Sequence, residues 1–369
     1  MRVLHVAAGN LFGGVETGIL AFMRHPHDVL DHEVAVFFDR GRLAAELESL
    51  GAPPHVLRPV RVRYPWTILL ARKRLDALLA RERFDAVVAH SPWVHGIVAP
   101  VVRRRGPLLV HFVHGFLEGH HWLERWAAWT PPDLVVANSR ATASGAGAVF
   151  PGVRCVVIHP PVVPAAPART RAAVRASLAT PEDATVIVTA CRLEPWKGHR
   201  LLLDALARLE GNHVAWIAGG AQKPDERAYL DELTSRAPSC VKFLGQRTDV
   251  PDLLSAADIH CQPNVGPEPF GIIFVEALSA GLPIVTTRMG GAMEVVDETC
   301  GILAEPDAGS VAAALARLAE DREERRRLGA NGPARARLLC DPVRQAQALR
   351  DALQEVTHER AGALARSLP

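Results

Sequence analysis

Residues 264–276 have the sequence Asn-Val-Gly-Pro-Glu-Pro-Phe-Gly-Ile-Ile-Phe-Val-Glu, which sets Glu268 and Glu276 eight residues apart. The prolines on either side of Glu268 favour an extended loop, and the apolar run that follows predicts a helix over residues 270–280. Unpaired N–H groups in the first turn of a helix suit the oxygens of a sugar or a phosphate. We therefore expect a ligand at this helix start, with Glu268 facing it from the loop and Glu276 from the helix.

The rest of the chain alternates apolar runs of strand length with helical segments, which is typical of βαβ units around a parallel sheet. Strands are predicted at residues 3–7, 33–38, 86–90, 108–114, 134–138 and 156–159, and again at 185–191, 213–218, 241–244, 259–262, 283–286 and 302–304. Helices are predicted between them, for example at 17–23, 66–83, 93–104 and 122–129. The fold class is therefore α/β.

The alternation pauses once, at a stretch rich in Pro and Ala that favours neither a helix nor a sheet ladder. A chain of 369 residues also exceeds the usual size of one hydrophobic core. We expect a Rossmann-like domain over residues 1–160, a linker at 161–168 and a second Rossmann-like domain over 169–340. The remaining residues, 341–369, are expected to contain a last amphipathic helix.

The amino-acid composition of the chain argues against some classes of function. The net charge is +2 and the pI is about 8.3, so there is no general electrostatic case for a nucleic-acid partner. The six cysteines are isolated from one another, which favours a reducing, cytoplasmic setting. No apolar run approaches the roughly 20 residues that a membrane-spanning helix needs. We expect a soluble protein, or one that is peripheral to the inner face of a membrane.

The stretch from Glu268 to Glu276 resembles the E-x-F-G-x-x-x-x-E motif of retaining glycosyltransferases of the family 4 type. That resemblance implies the GT-B fold, in which two Rossmann-like domains face each other across a cleft, with the last helix crossing back to the first domain. It also implies transfer of a sugar from a UDP- or GDP-linked donor to an acceptor hydroxyl with retention at the anomeric carbon, as in glycan, glycolipid or natural-product biosynthesis. Without such context, two solvated glutamates would be the simpler interpretation.

The resemblance assigns roles around this helix start. Glu268, with the backbone amides of Phe270 and Gly271, would hold the hydroxyls of the sugar. Ile272 would lie at the same donor-binding helix start, and Glu276 would hold the ribose hydroxyls.

Two cations, Arg192 and Lys197, follow the first predicted strand of the second domain. A diphosphate leaving group gains negative charge as the glycosidic bond breaks, and fixed cations or a metal can stabilise it. The sequence has no Asp-x-Asp, and Arg192 to Gly198 resembles the family's R-x-x-x-x-K-G pattern. We therefore expect these side chains to hold the diphosphate with no metal and no cofactor besides the nucleotide sugar; two solvated loop cations are the alternative.

Other donor contacts are expected from strand-to-helix turns. The sequence Gly13-Gly14-Val-Glu16 is not a dinucleotide fingerprint, but it resembles the family's GG-x-E stretch, whose backbone N–H groups lie near the diphosphate. Gln246 and Arg247 correspond to the segment beside the nucleobase. An ordinary tight turn remains the alternative for the glycine pair.

Histidines are numerous in the first domain. His114 follows a strong apolar strand and resembles the family's active-site histidine, which hydrogen-bonds the transferred sugar; a capping or core histidine is the alternative. Spacings among the histidines match no zinc motif, and His111 is expected on the opposite face of its strand from its neighbours.

Several alternatives stay open. The basic runs at residues 72–74 and 103–105 are either solvated faces or a surface that contacts membranes. The function could also be that of a GT-B sugar-nucleotide epimerase or phosphorylase, or of a non-catalytic subunit that binds nucleotide sugars. The sequence does not indicate an oligomeric state.

Overall fold

The computed structural model describes residues 1–24, 29–221 and 224–367, which form two compact units. Unit 1 comprises Met1–Val163 together with the C-terminal residues from Cys340. Unit 2 comprises Pro164–Leu339. The chain therefore passes from unit 1 to unit 2 within the segment predicted as a linker, and it returns to unit 1 between residues 339 and 340.

Unit 1 is built on a parallel sheet with the strand order β3-β2-β1-β4-β5-β6-β7. Its strands are β1 (Arg2–Ala7), β2 (Asp31–Val36), β3 (His55–Val56), β4 (Ala86–Ala89), β5 (Leu108–Val113), β6 (Leu134–Ala137) and β7 (Cys155–Val157). The sequence analysis missed β3, because a strand of two residues carries no detectable periodicity.

Helices connect these strands and cover both faces of the sheet. They are α1 (Gly14–Arg24), α2 (Arg42–Ser49), α3 (Pro65–Arg81), α4 (Pro92–Arg105), α5 (Trp122–Ala128), α6 (Arg140–Ala143) and α7 (Ala146–Val149). The start of α4 has a clear local cause: Ser91 caps it by accepting a hydrogen bond from the Val94 N–H, and Pro92 occupies the first turn, where no N–H is needed.

Unit 2 repeats the architecture with a parallel sheet of order β10-β9-β8-β11-β12-β13. Its strands are β8 (Thr185–Ala190), β9 (His213–Ala218), β10 (Val241–Gly245), β11 (Ile259–Gln262), β12 (Ile284–Thr287) and β13 (Gly301–Ala304). Its helices are α8 (Arg171–Ser177), α9 (His199–Leu206), α10 (Pro224–Arg236), α11 (Val250–Ala256), α12 (Ile272–Ser279), α13 (Ala292–Val295), α14 (Ala308–Glu320) and α15 (Arg322–Cys340), with a short 3-10 turn at Pro195–Lys197.

The final helix, α16 (Pro342–Ser367), belongs to unit 1. Its residues Leu349 and Leu353 are buried in one hydrophobic cluster with Val3 of β1 and Val110 of β5. The sequence predicts this amphipathic helix over Asp341–Val356, and α16 runs further, to Ser367. Its buried face completes one side of the unit 1 core. Among the described residues, no helix has the combination of length and apolar character that crossing a bilayer requires.

In both sheets the strand order reverses beside the first strand, between β1 and β4 in unit 1 and between β8 and β11 in unit 2. Ligands of open parallel sheets bind beyond the carboxyl ends of the strands at such a switch point. The fold therefore directs attention to the loops after these four strands. In unit 2 those loops are the ones that contain Lys197 and Glu268.

Candidate functional site

A nearly buried ion pair lies at the switch point of unit 2. Lys197 Nζ is 2.7 Å from Glu268 Oε2, and the two side chains are only 11% and 7% exposed. Two amides, Gln262 Nε2 and Asn264 Nδ2, donate to the same oxygen at 3.2 Å each. Oε2 thus accepts three hydrogen bonds, whereas Oε1 takes none of the three. The sequence analysis assigned Lys197 and Glu268 to different parts of a ligand; the structure joins them directly.

Close backbone packing brings the two loops together. The Val265 N–H donates to the Trp196 carbonyl at 2.9 Å. Gly198 has a φ of +78°, and a Cβ there would lie 1.7 Å from the Pro263 carbonyl oxygen. Only glycine fits this approach, which delivers the neighbouring Lys197 ammonium to the loop of Glu268.

The loop that holds Glu268 is itself fixed by the adjacent strand. The hydroxyls of Thr286 and Thr287, at the end of β12, donate to the carbonyl oxygens of Gln262 and Asn264. Both of these amide residues are fully buried. The sequence does not identify Gln262 and Asn264 as partners of Glu268, because no local pattern indicates that their amides point at a carboxylate.

The Gly290-Gly291 turn packs on the backbone of the same loop. The Gly291 N–H donates to the Glu268 carbonyl at 2.6 Å, and Gly290 pairs with Glu268 in a parallel β-bridge. Gly290 has a φ of +60°, and a Cβ there would lie 2.4 Å from the Glu268 carbonyl oxygen. This turn therefore supports the position of Glu268.

Helix α12 begins at Ile272, two residues later than the sequence predicted. The cause is Gly271, whose φ of +91° is left-handed and lies outside the helical region. A Cβ at Gly271 would meet the ring of Phe274 at 2.4 Å and Glu268 Cγ at 3.3 Å. Gly271 provides no side-chain cap, although its carbonyl accepts a hydrogen bond from the Phe274 N–H at 3.0 Å. The earlier N–H groups of the first turn can therefore face an anionic or hydroxylated ligand.

Glu276 lies in α12 and differs from Glu268 in its environment. Its half-buried carboxylate forms no hydrogen bond or ion pair with any residue that the structure describes. Burial raises the pKa of Glu276 to about 7. A carboxylate in this state gains strongly from hydroxyl donors that a ligand brings, because such donors replace the lost water.

Arg192 stands apart from the buried pair. Its side chain is 57% exposed and lies 3.0 Å from Glu194. An exposed ion pair of this kind contributes only about 0–1 kcal/mol, so Arg192 can leave Glu194 for a stronger anion at little cost. Of the two predicted cations, only Lys197 is held in place.

The residues predicted beside a nucleobase follow β10. Gln246 is exposed, whereas the Arg247 guanidinium donates two hydrogen bonds to Asp249, at 2.6 and 2.7 Å. The Asp249 carboxylate raises the pKa of Arg247 and keeps its side chain engaged within unit 2. A nucleobase could therefore contact the backbone of this segment more readily than the Arg247 side chain.

In unit 1, the predicted glycine pair lies at the start of α1. The Gly13 N–H donates to the buried Glu16 carboxylate at 3.0 Å, and Gly14 is the first residue of the helix. The Gly13 N–H is therefore already bonded within unit 1. This arrangement is a tight turn at the start of α1.

His114 follows β5 and is half-buried, with Nε2 placed 2.8 Å from His90 Nδ1. Burial lowers the pKa of His114 to about 3, so its ring is neutral at physiological pH. His111 contacts His95 and Phe150 on the other face of the strand, with ring centroids 5.0 Å from each. Within the described ranges, no group of three His, Cys, Asp or Glu residues is arranged to hold a metal ion.

Two family models match the chain, one for each unit. Residues 12–166 match the model described as Glycosyltransferase Family 4, and residues 170–335 match the model described as Glycosyl transferases group 1.

Among curated proteins, the lipopolysaccharide core biosynthesis glycosyltransferase LpsE of Rhizobium meliloti is 32% identical over 162 residues, which are 43% of this chain and 46% of LpsE. The D-inositol 3-phosphate glycosyltransferase of Mycobacterium tuberculosis is 35% identical over 150 residues, 39% of this chain and 29% of that protein. The chain thus spans less than half the length of these relatives.

Solved structures resemble the chain over nearly all of its length. Anabaena HepE, solved in complex with UDP and glucose and also with UDP-glucose, covers 96% of the chain with 26% identity and TM-scores of 0.83 and 0.84, and the match covers 100% of HepE. WaaG, a glycosyltransferase involved in lipopolysaccharide biosynthesis, covers 94% of the chain and 99% of its own, with 18% identity and a TM-score of 0.67. The second likeness supports the fold alone.

The buried Lys197–Glu268 pair predicts that replacing Lys197 lowers stability much more than replacing the exposed Arg192. Lys197→Met leaves the Glu268 carboxylate buried without a counter-charge, and we expect the free energy of unfolding to fall by about 3–5 kcal/mol. Adding Glu268→Gln to this variant removes the uncompensated charge and should restore part of the loss. Chemical denaturation measures both effects. Arg192→Met is the control, since breaking its exposed pair with Glu194 should cost about 1 kcal/mol or less; equal losses in the two single variants would contradict the assignment.

The environment of Glu276 predicts a pH dependence of stability. Its pKa is raised from 4.5 to about 7 by folding, so the folded state holds this proton more tightly and stability falls as pH rises from about 4.5 to 7. Glu276→Gln removes this penalty. Its melting temperature should equal that of the wild type near pH 4.5 and exceed it above pH 7. The exposed Glu298→Gln is the matched control and should show no such crossover; a pH-independent difference for Glu276→Gln would argue against a buried carboxyl.

Proposed function

Because the chain belongs to the group 1 glycosyltransferases and has the GT-B fold, we propose that it transfers a sugar from a nucleotide diphosphate donor to an acceptor hydroxyl. The observation that carries this proposal is the buried Lys197–Glu268 pair at the switch point of unit 2, beside the uncapped start of α12. UDP-linked sugars are the first donor candidates, since HepE, a structural relative at 26% identity, was solved with UDP-glucose. GDP-linked sugars are the second.

The proposed donor contacts differ in the part of the nucleotide sugar that each residue binds. Glu276, which has no internal partner among the described residues, would accept hydrogen bonds from the ribose hydroxyls. Lys197 and the loosely paired Arg192 would neutralise the diphosphate. Glu268, held at Oε2 by its three donors, would present Oε1 to the hydroxyls of the sugar. His114 of unit 1 would hydrogen-bond the sugar through its neutral ring.

The proposed reaction breaks the bond between the anomeric carbon and the diphosphate oxygen and forms a bond from that carbon to the acceptor oxygen. Positive charge develops at the anomeric carbon and negative charge on the departing phosphate, and the Lys197 ammonium stabilises the latter. In front-face attack the departing phosphate oxygen takes the acceptor's proton, which yields retention without a separate general base. Since a fixed cation can replace a divalent metal at the leaving group, we propose that turnover is metal-independent.

The test is an assay with UDP-glucose and GDP-mannose in excess chelator, using simple sugar alcohols or water as acceptors. We expect release of the nucleoside diphosphate with one donor, and a product whose anomeric configuration, read by NMR, equals that of the donor. Turnover that appears only when metal is added would contradict metal independence. Isomerised donor without acceptor would indicate an epimerase, formation of sugar phosphate from inorganic phosphate a phosphorylase, and binding without turnover a non-catalytic subunit.

The two glutamates should respond differently to substitution. Glu276→Ala removes charge-assisted hydrogen bonds that exist in the ground state and the transition state alike, so the donor KM should rise about tenfold or more. Binding of free nucleoside diphosphate should weaken in parallel. Glu268→Gln should chiefly lower kcat and leave nucleotide binding nearly unchanged, because its contact is to the sugar. Steady-state kinetics and calorimetry measure these effects; the reverse pattern would exchange the two roles.

A second proposal concerns the exposed surface of α3, which we infer to contact anionic membranes. Trp66, Leu69, Leu70 and Lys73 follow helical spacing and are all exposed. Apolar residues beside a cation on one helix face suit the interface of an anionic bilayer. Such contact would make the protein peripheral to the membrane that carries a lipid-linked acceptor.

Four other basic residues of the predicted patches are less suited to this role, whereas Arg74 is exposed on α3 beside Lys73. Arg72 donates to the carbonyl oxygens of Gly96 and Ile97 and is held against α4. Arg104 and Arg105 share the Asp76 carboxylate, and Arg103 pairs with Asp133. The run at 103–105 is therefore largely neutralised within unit 1, which leaves the α3 face as the candidate surface.

Vesicle sedimentation tests the α3 surface. The wild type should sediment with vesicles that contain anionic phospholipid, and Trp66→Ser combined with Leu69→Ser should reduce the bound fraction several-fold, since the apolar area is lost. Trp129→Ser is the control, because Trp129 is an exposed tryptophan of unit 1 that follows α5 and is not part of α3. No binding by the wild type, or equal loss in the control, would overturn the proposal.

A further inference from the structure

Four histidine rings of unit 1 form one hydrogen-bonded chain that ends at His114. His32 Nδ1 lies 2.9 Å from His5 Nε2, and His5 Nδ1 lies 2.9 Å from His90 Nε2. His90 Nδ1 lies 2.8 Å from His114 Nε2. Every link therefore joins the Nδ1 of one ring to the Nε2 of the next.

The sheet explains why the rings meet. His32 is on β2, His5 is on β1, and His90 and His114 follow β4 and β5, so the chain crosses four adjacent strands. In the strand register His32 pairs with Val3 and His5 pairs with Val88, so each step moves one strand across and two residues forward. Residues two apart point to the same face of a sheet, and such diagonal neighbours lie roughly 7–8 Å apart, which rings can span.

The chain is enclosed by aromatic and apolar side chains. The Phe112 ring stacks on His90 and His114, with centroids 5.5 and 4.5 Å away. Phe22 stacks on His5 at 5.7 Å. Burial holds the pKa values of His5 and His90 well below the usual range, so these rings are neutral.

Neutrality imposes a rule on the proton positions. A neutral imidazole has one N–H donor and one acceptor nitrogen. If His32 donates from Nδ1, His5 accepts at Nε2 and must carry its own proton on Nδ1. His90 and His114 then accept at Nε2 in turn, and they also carry their protons on Nδ1. If the direction is reversed, all four rings carry the proton on Nε2.

We propose that the four histidines act as one tautomeric unit, in which His5 and His90 are positioning residues that fix the ring orientation of His114 and whether its Nδ1 carries the proton. The inference rests on the proposed function for its catalytic consequence, because His114 is assigned there to the transferred sugar. Whether His114 offers an N–H or an acceptor nitrogen to a sugar hydroxyl is then decided by rings across the sheet. Neither His5 nor His32 would touch the substrate.

Nitrogen NMR of the full-length protein labelled with 15N-histidine tests the coupling without any substrate. We expect the four rings to show the same tautomer in the wild type. His5→Phe keeps a ring against Phe22 but removes both nitrogens, so the His114 nitrogen shifts should move toward the values of mixed tautomers. Opposite tautomers in neighbouring rings of the wild type would overturn the proposal even if the variant failed to fold. Unchanged His114 shifts in a folded His5→Phe would do the same.

Steady-state kinetics test the expected effect of the histidine chain on catalysis. His5→Phe should lower kcat for the accepted donor by up to about 100-fold, as expected for a misplaced contact, with the affinity for UDP unchanged. His111→Phe is the matched control, since His111 is equally buried on the other face of β5 and its nitrogens have no hydrogen-bond partner in the described structure. His111→Phe should change neither the His114 nitrogen shifts nor kcat. If no donor is turned over by the wild type, the proposed function fails while the NMR result still decides the coupling.

Discussion

Burial of the Glu268 carboxylate is the constraint on which the unit 2 site depends. A carboxylate removed from water needs a counter-charge and hydrogen-bond donors, and Lys197, Gln262 and Asn264 supply them at one oxygen. Those donors come from the loops after β8 and β11, so the loops must pack tightly. The glycines at their contacts and the threonine hydroxyls of β12 satisfy that requirement. The site is therefore rigid at Glu268 and less constrained at Glu276 and Arg192.

The two units use equivalent sheet positions for different purposes. Each sheet reverses its strand order beside its first strand, and polar side chains gather beyond the strand ends there. In unit 2 these side chains form the buried Lys197–Glu268 ion pair. In unit 1 they are uncharged imidazoles among aromatic rings.

Local sequence patterns predicted the α/β class, most strands and the loops in which Lys197 and Glu268 lie, since periodicity and glycine placement are encoded within short windows. They could not reveal that Lys197 and Glu268 touch, because 71 residues separate them and only the strand order brings them together. The histidine chain was missed for the same reason. Gln262 and Asn264 lie only six and four residues from Glu268 and were missed because no sequence pattern indicates where a side-chain amide points. The start of α12 was misplaced because Gly271 has a left-handed φ of +91°, which an apolar run of sequence does not reveal.

The position of α16 has a consequence for biosynthesis. Leu349, Leu353 and Val356 complete the same hydrophobic cluster as Val3 of β1, although they are the last part of that core to be translated. During synthesis, unit 2 can gather all of its strands while one face of the first sheet still exposes its valines to water. The nascent chain therefore carries an unsealed apolar surface for much of its time on the ribosome, which is a natural point of engagement for chaperones.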